Sequence, residues 1–227
     1  MPAEERTTAE ALRQLREEDP WFSYPDAVTL LSALEPGEVP ALVAALAEPS
    51  AKIRAAVARA LGSYEAPAAR AALERALTDP APEVRRAAIA GLNEFSDADV
   101  APALGRALAE DPDLYTRLAA VQALAGRPEP AAAAPLARWI ESADAEDAWV
   151  LGEAATALAA FGSDVALGPL TRLLDHAEPA VREKAVEGLQ TLGDPAAAPA
   201  LLAYANREPD AYLAGMAGSV AHALTLR

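Results

Sequence analysis

Apolar residues recur at three- and four-residue steps along most of the chain, the spacing of one buried helical face. The segments VPALVAAL from Val39, APALGRAL from Ala101 and LGPLTRLL from Leu167 show it clearly. No segment sustains the period-two alternation of β-branched residues that marks a strand, so none is expected. A turn with proline follows each apolar helical segment, at Pro49, Pro80, Pro82, Pro112 or Pro179, and a second apolar helical stretch comes after it. Proline suits the first turn of a helix, where its missing N–H is not needed. Glycine follows several of the second stretches, at Gly62, Gly126, Gly162 and Gly193, and predicts left-handed helix stops there. Near the N-terminus, Thr7 and Glu10 have the spacing of a capping box. They open a helix that runs to about Glu18 and breaks at Asp19-Pro20.

The two-helix pattern is itself repeated. LAEPSAKIRAAVARALG from Leu46, LTDPAPEVRRAAIAGLN from Leu77 and LDHAEPAVREKAVEGLQTLGD from Leu174 share one scheme. Each has a leucine, an acidic residue, a proline, an aliphatic–Arg pair and a leucine seven residues after the Arg. LAEDPDLYTRLAAVQALAG from Leu108 is a looser copy. The arginines are Arg54, Arg85, Arg117 and Arg182, and the matching leucines are Leu61, Leu92, Leu124 and Leu189. Weaker copies end at Leu34, Leu158 and Leu224, so successive leucines lie 27 to 35 residues apart. Self-similarity at such a period marks stacked supersecondary units. The expected fold is an all-α solenoid of about six to seven antiparallel helix pairs. Residues 1–38 are read as divergent helices capping it, and residues 39–227 as one repeat array forming a single domain.

This scheme resembles the HEAT-like repeats of the phycobilisome-lyase type over roughly residues 39–227. The resemblance implies a right-handed superhelix with the second helix of each pair lining the concave side. It leaves function open, because such repeats occur in scaffolds, lyases, hydroxylases and DNA glycosylases.

Charged residues recur with the repeat. Glu48, Asp79 and Asp111 each precede an arginine of the scheme by six positions, and Asp175 precedes Arg182 by seven. They could form a binding ladder. The preferred reading is structural, with acid and arginine bridging adjacent repeats and tying the inter-helix turns, because stacked repeats depend on nearest-neighbour ties. Within the second helices, the residues three, four and seven places after the arginine are small or aliphatic and form the expected buried stripe. Residues one and five places after it lie together on the other face, at about 100° per residue. These change from repeat to repeat: Ala55 and Arg59, Arg86 and Ala90, Leu118 and Gln122, Gly152 and Thr156, Glu183 and Glu187, Gly218 and His222. The face would run from basic to acidic. Arg59, Arg86, Leu118, Gln122, Thr156, Glu183 and Glu187 are therefore the candidate partner-binding residues, with small neighbours allowing close approach.

The formal net charge of −15 opposes both a duplex phosphate backbone and an anionic membrane as the main partner. It favours another protein, including one with a basic segment. Residues 39–97 balance seven basic against seven acidic residues, whereas residues 98–164 have four basic and eleven acidic. The latter include Glu141, Asp144, Glu146 and Asp147, flanked by Trp139 and Trp149. That segment reads as a solvated turn with both tryptophans packed between helices, or as a grip on a basic partner with a tryptophan anchor. Trp21, Phe22 and Tyr24 are expected to cap the end of the core.

Catalytic signals are thin. There is no cysteine, and the two histidines, His176 and His222, fall in different repeats outside any metal-ligand motif. No cofactor is expected. The polar N-terminus has no apolar signal core and no apolar run reaches the roughly 20 residues of a membrane span, so a cytoplasmic, monomeric, non-enzymatic scaffold is the leading expectation. The alternative that the resemblance implies is a bilin lyase or chaperone, which would need cationic contacts for a tetrapyrrole; Arg59 and Arg86 are the evident ones. A nucleic-acid-binding role of the glycosylase kind would need a basic concave face that this acidic chain lacks.

Overall fold

A computed structural model describes residues 6–19, 21–96, 100–127, 129–142 and 147–226. Among them are fourteen α-helices and no strand. They form two compact units, Met1–Ala103 and Leu104–Arg227. The first holds α1 (Thr8–Glu18), α2 (Tyr24–Ser32), α3 (Val39–Ala45), α4 (Ala51–Leu61), α5 (Pro67–Ala76) and α6 (Pro82–Leu92). The boundary falls within α7 (Ala101–Glu110). The second unit continues with α8 (Leu114–Ala125), α9 (Pro130–Ser142), α10 (Ala148–Ala159), α11 (Ser163–Leu173), α12 (Pro179–Leu192), α13 (Ala198–Arg207) and α14 (Ala211–Thr225). These are seven helix pairs, as the leucine period predicts.

Second helices stack on second helices. In the first unit α2 packs on α4 and α4 on α6, while α1, α3 and α5 form the other row. In the second unit α8, α10, α12 and α14 stack in sequence, with α9 against α11 in the other row. The leucine ladder from Leu34 to Leu224 is buried throughout. Alanine lets the rows approach. Helix α4, flanked by α2 and α6 and backed by α3 and α5, buries Ala55, Ala56, Val57, Ala58, Ala60 and Leu61. A helix covered on nearly every side must be apolar nearly all round. The buried surface is thus wider than the stripe expected three, four and seven places after Arg54, since it also takes in Ala55.

In four of the seven pairs the turn between the paired helices is closed by an arginine, before α4, α6, α8 and α12. Arg54 donates through Nη1 to the carbonyls of Glu48 and Pro49 at 2.8 and 3.0 Å. Arg85 repeats this on Asp79 and Pro80, Arg117 on Asp111, and Arg182 on His176 and Ala177. The rest of the guanidinium reaches into the next repeat. Arg54 makes a bidentate pair with Asp79 at 2.8 and 2.9 Å, and Arg182 one with Glu208 at 2.9 and 3.1 Å. Arg117 pairs with Asp147, and Arg16 on α1 donates to Glu48 at 3.0 Å. The charged ladder is therefore structural where these contacts form it: Asp79, six places before Arg85, receives Arg54 of the preceding repeat, and Glu48, six places before Arg54, receives Arg16 of α1. Asp175 stands outside the ladder and pairs with Arg207 at the surface.

The carboxylates register these contacts. Burial alone would raise the pKa of Asp79, but the bonds from Arg54 and the Ala81 N–H outweigh it and the net shift is downward. Glu208 is held at about 2 by its bonds from Arg182 and Tyr204.

The capping box is present: the Thr7 N–H donates to Glu10 at 2.9 Å and the Glu10 N–H donates to the Thr7 hydroxyl at 3.3 Å. Asp19 caps the end of α1 in extended backbone, while Pro20 lies outside the described residues. The glycine stops are only partly as expected. Gly193 ends α12 in the left-handed region at φ 70°. Gly162, at φ 92°, instead sits at the N-cap of α11. Gly62 and Gly126 keep right-handed helical backbone, so left-handed freedom is not their role. Gly62 serves close packing, because a Cβ there would lie 2.7 Å from the Gly91 backbone on α6.

Two outcomes follow. Leu92→Ala in the first unit and Leu124→Ala in the second should each cost about 2–5 kcal/mol, the range for a buried leucine; matching chemical-denaturation curves for wild type and variants would contradict the register. Glu208 is ionised more readily in the folded than in the unfolded chain, so its contribution is complete above its ordinary value of 4.5 and is lost as pH falls toward about 2. The gap in thermal midpoint between wild type and Glu208→Gln should be constant near neutrality and close across that acidic window.

Candidate functional site

In the first unit the second helices present a groove of about 1030 Å³ along α2, α4 and α6. Its floor is Ala55, Ala87 and Ala90; Tyr24, Pro25 and Val28 of α2 form one wall. Lys52, Arg59 and Arg86 supply three positive charges and Glu83 one negative charge. The expected pairing of residues one and five places after the arginine holds here, since Ala55, Arg59, Arg86 and Ala90 all line one depression. Their helical register causes it, and the α2–α4–α6 stack places the registers side by side.

The groove's polar groups are anchored at its edges. Arg59 pairs with Glu94 at 2.8 Å, both side chains remaining about one-third to one-half exposed. Lys52 lies over the Phe22 ring at 4.0 Å from its centroid. Burial against the groove wall raises the Tyr24 pKa, partly opposed by the nearby Arg59 charge. Ala55 is only 3% exposed, so it is smooth floor rather than an open gap in the surface.

The HEAT-repeat model matches residues 39–125 and 136–221. The chain belongs to the HEAT-repeat family. No curated protein sequence matches it, but solved structures do. The archaeal HEAT-like repeats protein from Thermococcus onnurineus NA1 overlays with a TM-score of 0.59 at 15% identity, covering 94% of this chain and 97% of that one. A designed armadillo repeat protein in complex with the peptide (KR)4 reaches 0.51 at 19% identity, covering 82% and 99%. The CpcE–CpcF complex of phycocyanin lyase from Nostoc sp. PCC7120 covers 99% and 97% at 22% identity, but its TM-score of 0.49 is too low to bear on function. The first two overlays fix the fold of the HEAT-repeat protein as an α-solenoid of stacked helix pairs.

The remaining candidate residues lie in the second unit. Leu118 on α8 is half-buried and Gln122 exposed. Thr156 on α10 is exposed, its hydroxyl donating back to the Gly152 carbonyl at 3.0 Å. Glu183 and Glu187 lie half-buried on α12. Glu187 pairs with Lys184 at 2.7 Å, and the Tyr212 hydroxyl donates to Glu183 at 3.4 Å. The Glu187 bond raises the Lys184 pKa. Gly152 does not offer the close approach expected of it, because the Lys184 stem crosses it; a Cβ there would meet Lys184 Cγ at 3.2 Å. Gly218 does face open space.

The aromatics depart further from expectation. Of the cap cluster only Phe22 is buried; Trp21 is 90% exposed and Tyr24 lines the groove. Trp139 packs in the core, but Trp149 is about half exposed and meets Tyr115 edge-on, ring centroids 6.0 Å apart. Asp147 is engaged by Arg117, Glu141 is exposed, and Asp144 and Glu146 lie outside the described residues. His176 accepts the Glu178 N–H at 3.1 Å through Nδ1, and His222 is exposed on α14. Among the described residues no cluster of three or more histidine or acidic side chains could hold a metal ion, and no single helix is long and apolar enough to cross a membrane.

Reasoning from repeat positions missed Lys52, Glu83 and Tyr24 as groove residues. Lys52 and Glu83 precede the arginines, on the turn of helix adjoining the charged ladder, and the sequence groups Tyr24 with Trp21 and Phe22 by aromatic character. The usable signal was their placement at the starts of three consecutive second helices.

Proposed function

We propose that the HEAT-repeat protein is a cytoplasmic protein–protein interaction scaffold that binds its partner along the second helices. The observation carrying this reading is the groove on α2, α4 and α6, where Arg59 and Arg86 from adjacent repeats flank one alanine floor. Repeat arrays bind along continuous surfaces made from neighbouring units. The designed armadillo protein solved with (KR)4 supplies a precedent for a peptide held by a helical repeat array. In the second unit Leu118, Gln122, Thr156, Glu183 and Glu187 form the corresponding set. Its acidic members, together with the exposed Tyr115–Trp149 pair, suit a basic segment of the partner.

A bilin-binding reading is favoured by one observation, the convergence of Arg59 and Arg86 over an apolar floor. Such a groove could hold a tetrapyrrole with two carboxylates. A shifted and intensified absorbance band on adding biliverdin, abolished in Arg59→Glu/Arg86→Glu, would support it over the scaffold reading.

The scaffold test combines affinity capture from the native host with paired charge reversals, Arg59→Glu/Arg86→Glu and Glu183→Lys/Glu187→Lys, and Arg75→Glu on first helix α5 as control. The half-exposed surface changes should move stability by no more than about 0.5 kcal/mol. At least one pair should lose a partner protein that the wild type and the control both retain. Retention by both pairs with loss in the control would move the interface to the first helices and reject this reading.

A further inference from the structure

The charge of the first-unit groove runs against that of the protein. Within a chain of net charge −15, three cationic side chains and one carboxylate line this depression. Charge complementarity at an interface selects partners and suppresses wrong ones, so the groove disfavours the basic segments that the protein's overall charge attracts.

The two arginines also have a defined spacing. Arg54 near the start of α4 bonds Asp79 just before α6, so α4 and α6 begin on the same side and run in the same direction. Arg59 lies five residues after Arg54, and Arg86 one residue after Arg85, the equivalent position. Their axial offset is thus four residues, about 6 Å at a 1.5 Å rise. Packed helices lie about 8–10 Å apart, which sets the two Cα atoms about 10–12 Å apart. An extended chain advances about 3.3 Å per residue. Allowing for the reach of arginine, carboxylates two to four residues apart along such a chain meet both guanidinium groups. Between them lie Ala55, Ala87 and Ala90, with Pro25 and Val28 beside them, a surface for apolar side chains.

We propose that this groove takes an extended acidic peptide segment of a partner protein, its carboxylates on Arg59 and Arg86 and its apolar side chains on the alanine floor. This deepens the scaffold reading and rests on it. The Arg59–Glu94 pair is no obstacle, because half-exposed ion pairs of this kind are weakly held and the guanidinium has donors for two carboxylates. Lys52 adds charge at the start of α4. Glu83, at the start of α6, sets direction by repelling a carboxylate placed over it.

The test is fluorescence anisotropy with labelled peptides of alternating Asp and Leu and of alternating Lys and Leu, on the full chain. The Asp–Leu peptide should bind the wild type, weaken as salt rises, and lose about tenfold or more in affinity to Arg59→Glu/Arg86→Glu. The milder Arg59→Gln/Arg86→Gln should fall between, and its circular dichroism melt should match the wild type. Glu183→Lys/Glu187→Lys should bind as the wild type does. Preference for the Lys–Leu peptide, Asp–Leu binding that survives both arginine variants, or biliverdin binding where the peptide fails would each overturn the proposal. Should a captured partner depend on Glu183 and Glu187 but not on the arginines, the scaffold reading stands and this one fails.

Discussion

The arginine that closes the inter-helix turn in four of the seven pairs is the contact on which the stack depends. A turn between two short helices leaves backbone carbonyls without intrahelical partners. Packing the next repeat against that turn removes water from it, so the carbonyls need donors from within the protein. One guanidinium serves both needs. Arg54 satisfies the carbonyls of Glu48 and Pro49 and, with its other edge, takes Asp79 of the next repeat. Arg182 does the same for His176, Ala177 and Glu208. Lysine could not replace it, because an ammonium cannot present two edges in one plane.

Fixing the turns sets the register of the helices that follow, and that register decides the packing. Once Arg54 holds the turn before α6, neither Gly62 nor Gly91 has room for a side chain: a Cβ on Gly62 would lie 2.7 Å from the Gly91 backbone, and one on Gly91 would lie 2.8 Å from the Ala58 carbonyl. The same constraint puts Ala55 and Ala87 under the groove rather than beside it. Alanine is needed along these helices because neighbours approach from both sides, whereas larger side chains concentrate in the leucine ladder that closes the core. The buried small residues of α4 and α6 are therefore explained by packing, and what distinguishes one repeat from another is left to a few long side chains at the edges.

The division explains what could be read from sequence. The ladder leucines were legible because they recur in all seven pairs, and the turn arginines because they recur in four at a fixed spacing. The arginines' forward partners were harder, since Asp147 and Glu208 keep the role without the spacing motif. Gly62 looked like a helix stop because a glycine after a helix usually is one; its actual constraint, the backbone of α6, lies in another repeat. Residue type places Trp21 and Trp149 in the core, yet Trp21 lies in the turn before α2 and Trp149 in the first turn of α10, and both side chains are exposed. Arg59 and Arg86 were legible as a pair from helical periodicity. Lys52, Glu83 and Tyr24 were not, because a groove across three helices draws on positions that no single helical wheel brings together.

Charge follows the same separation between stack and surface. The ladder consumes carboxylates in fixed positions and neutralises each with an arginine, so it contributes little to the net charge. The excess of acid must then sit elsewhere, and residues 98–164 hold much of it. Residues 39–97 are balanced overall, and removing the Arg54–Asp79 pair of the ladder leaves them balanced, so the gathering of Lys52, Arg59 and Arg86 against one Glu83 at the groove is a matter of placement. A locally basic surface on an acidic protein does not arise from composition; it requires that cations be placed at the second-helix edges of adjacent repeats. Packing imposes no such choice on the arginine positions, since Gln122, Thr156 and Glu187 stand in the place of Arg59 in other repeats, and Leu118, Gly152 and Glu183 in that of Arg86. The identity of the side chains at that edge is therefore where the repeats differ in what they can recognise.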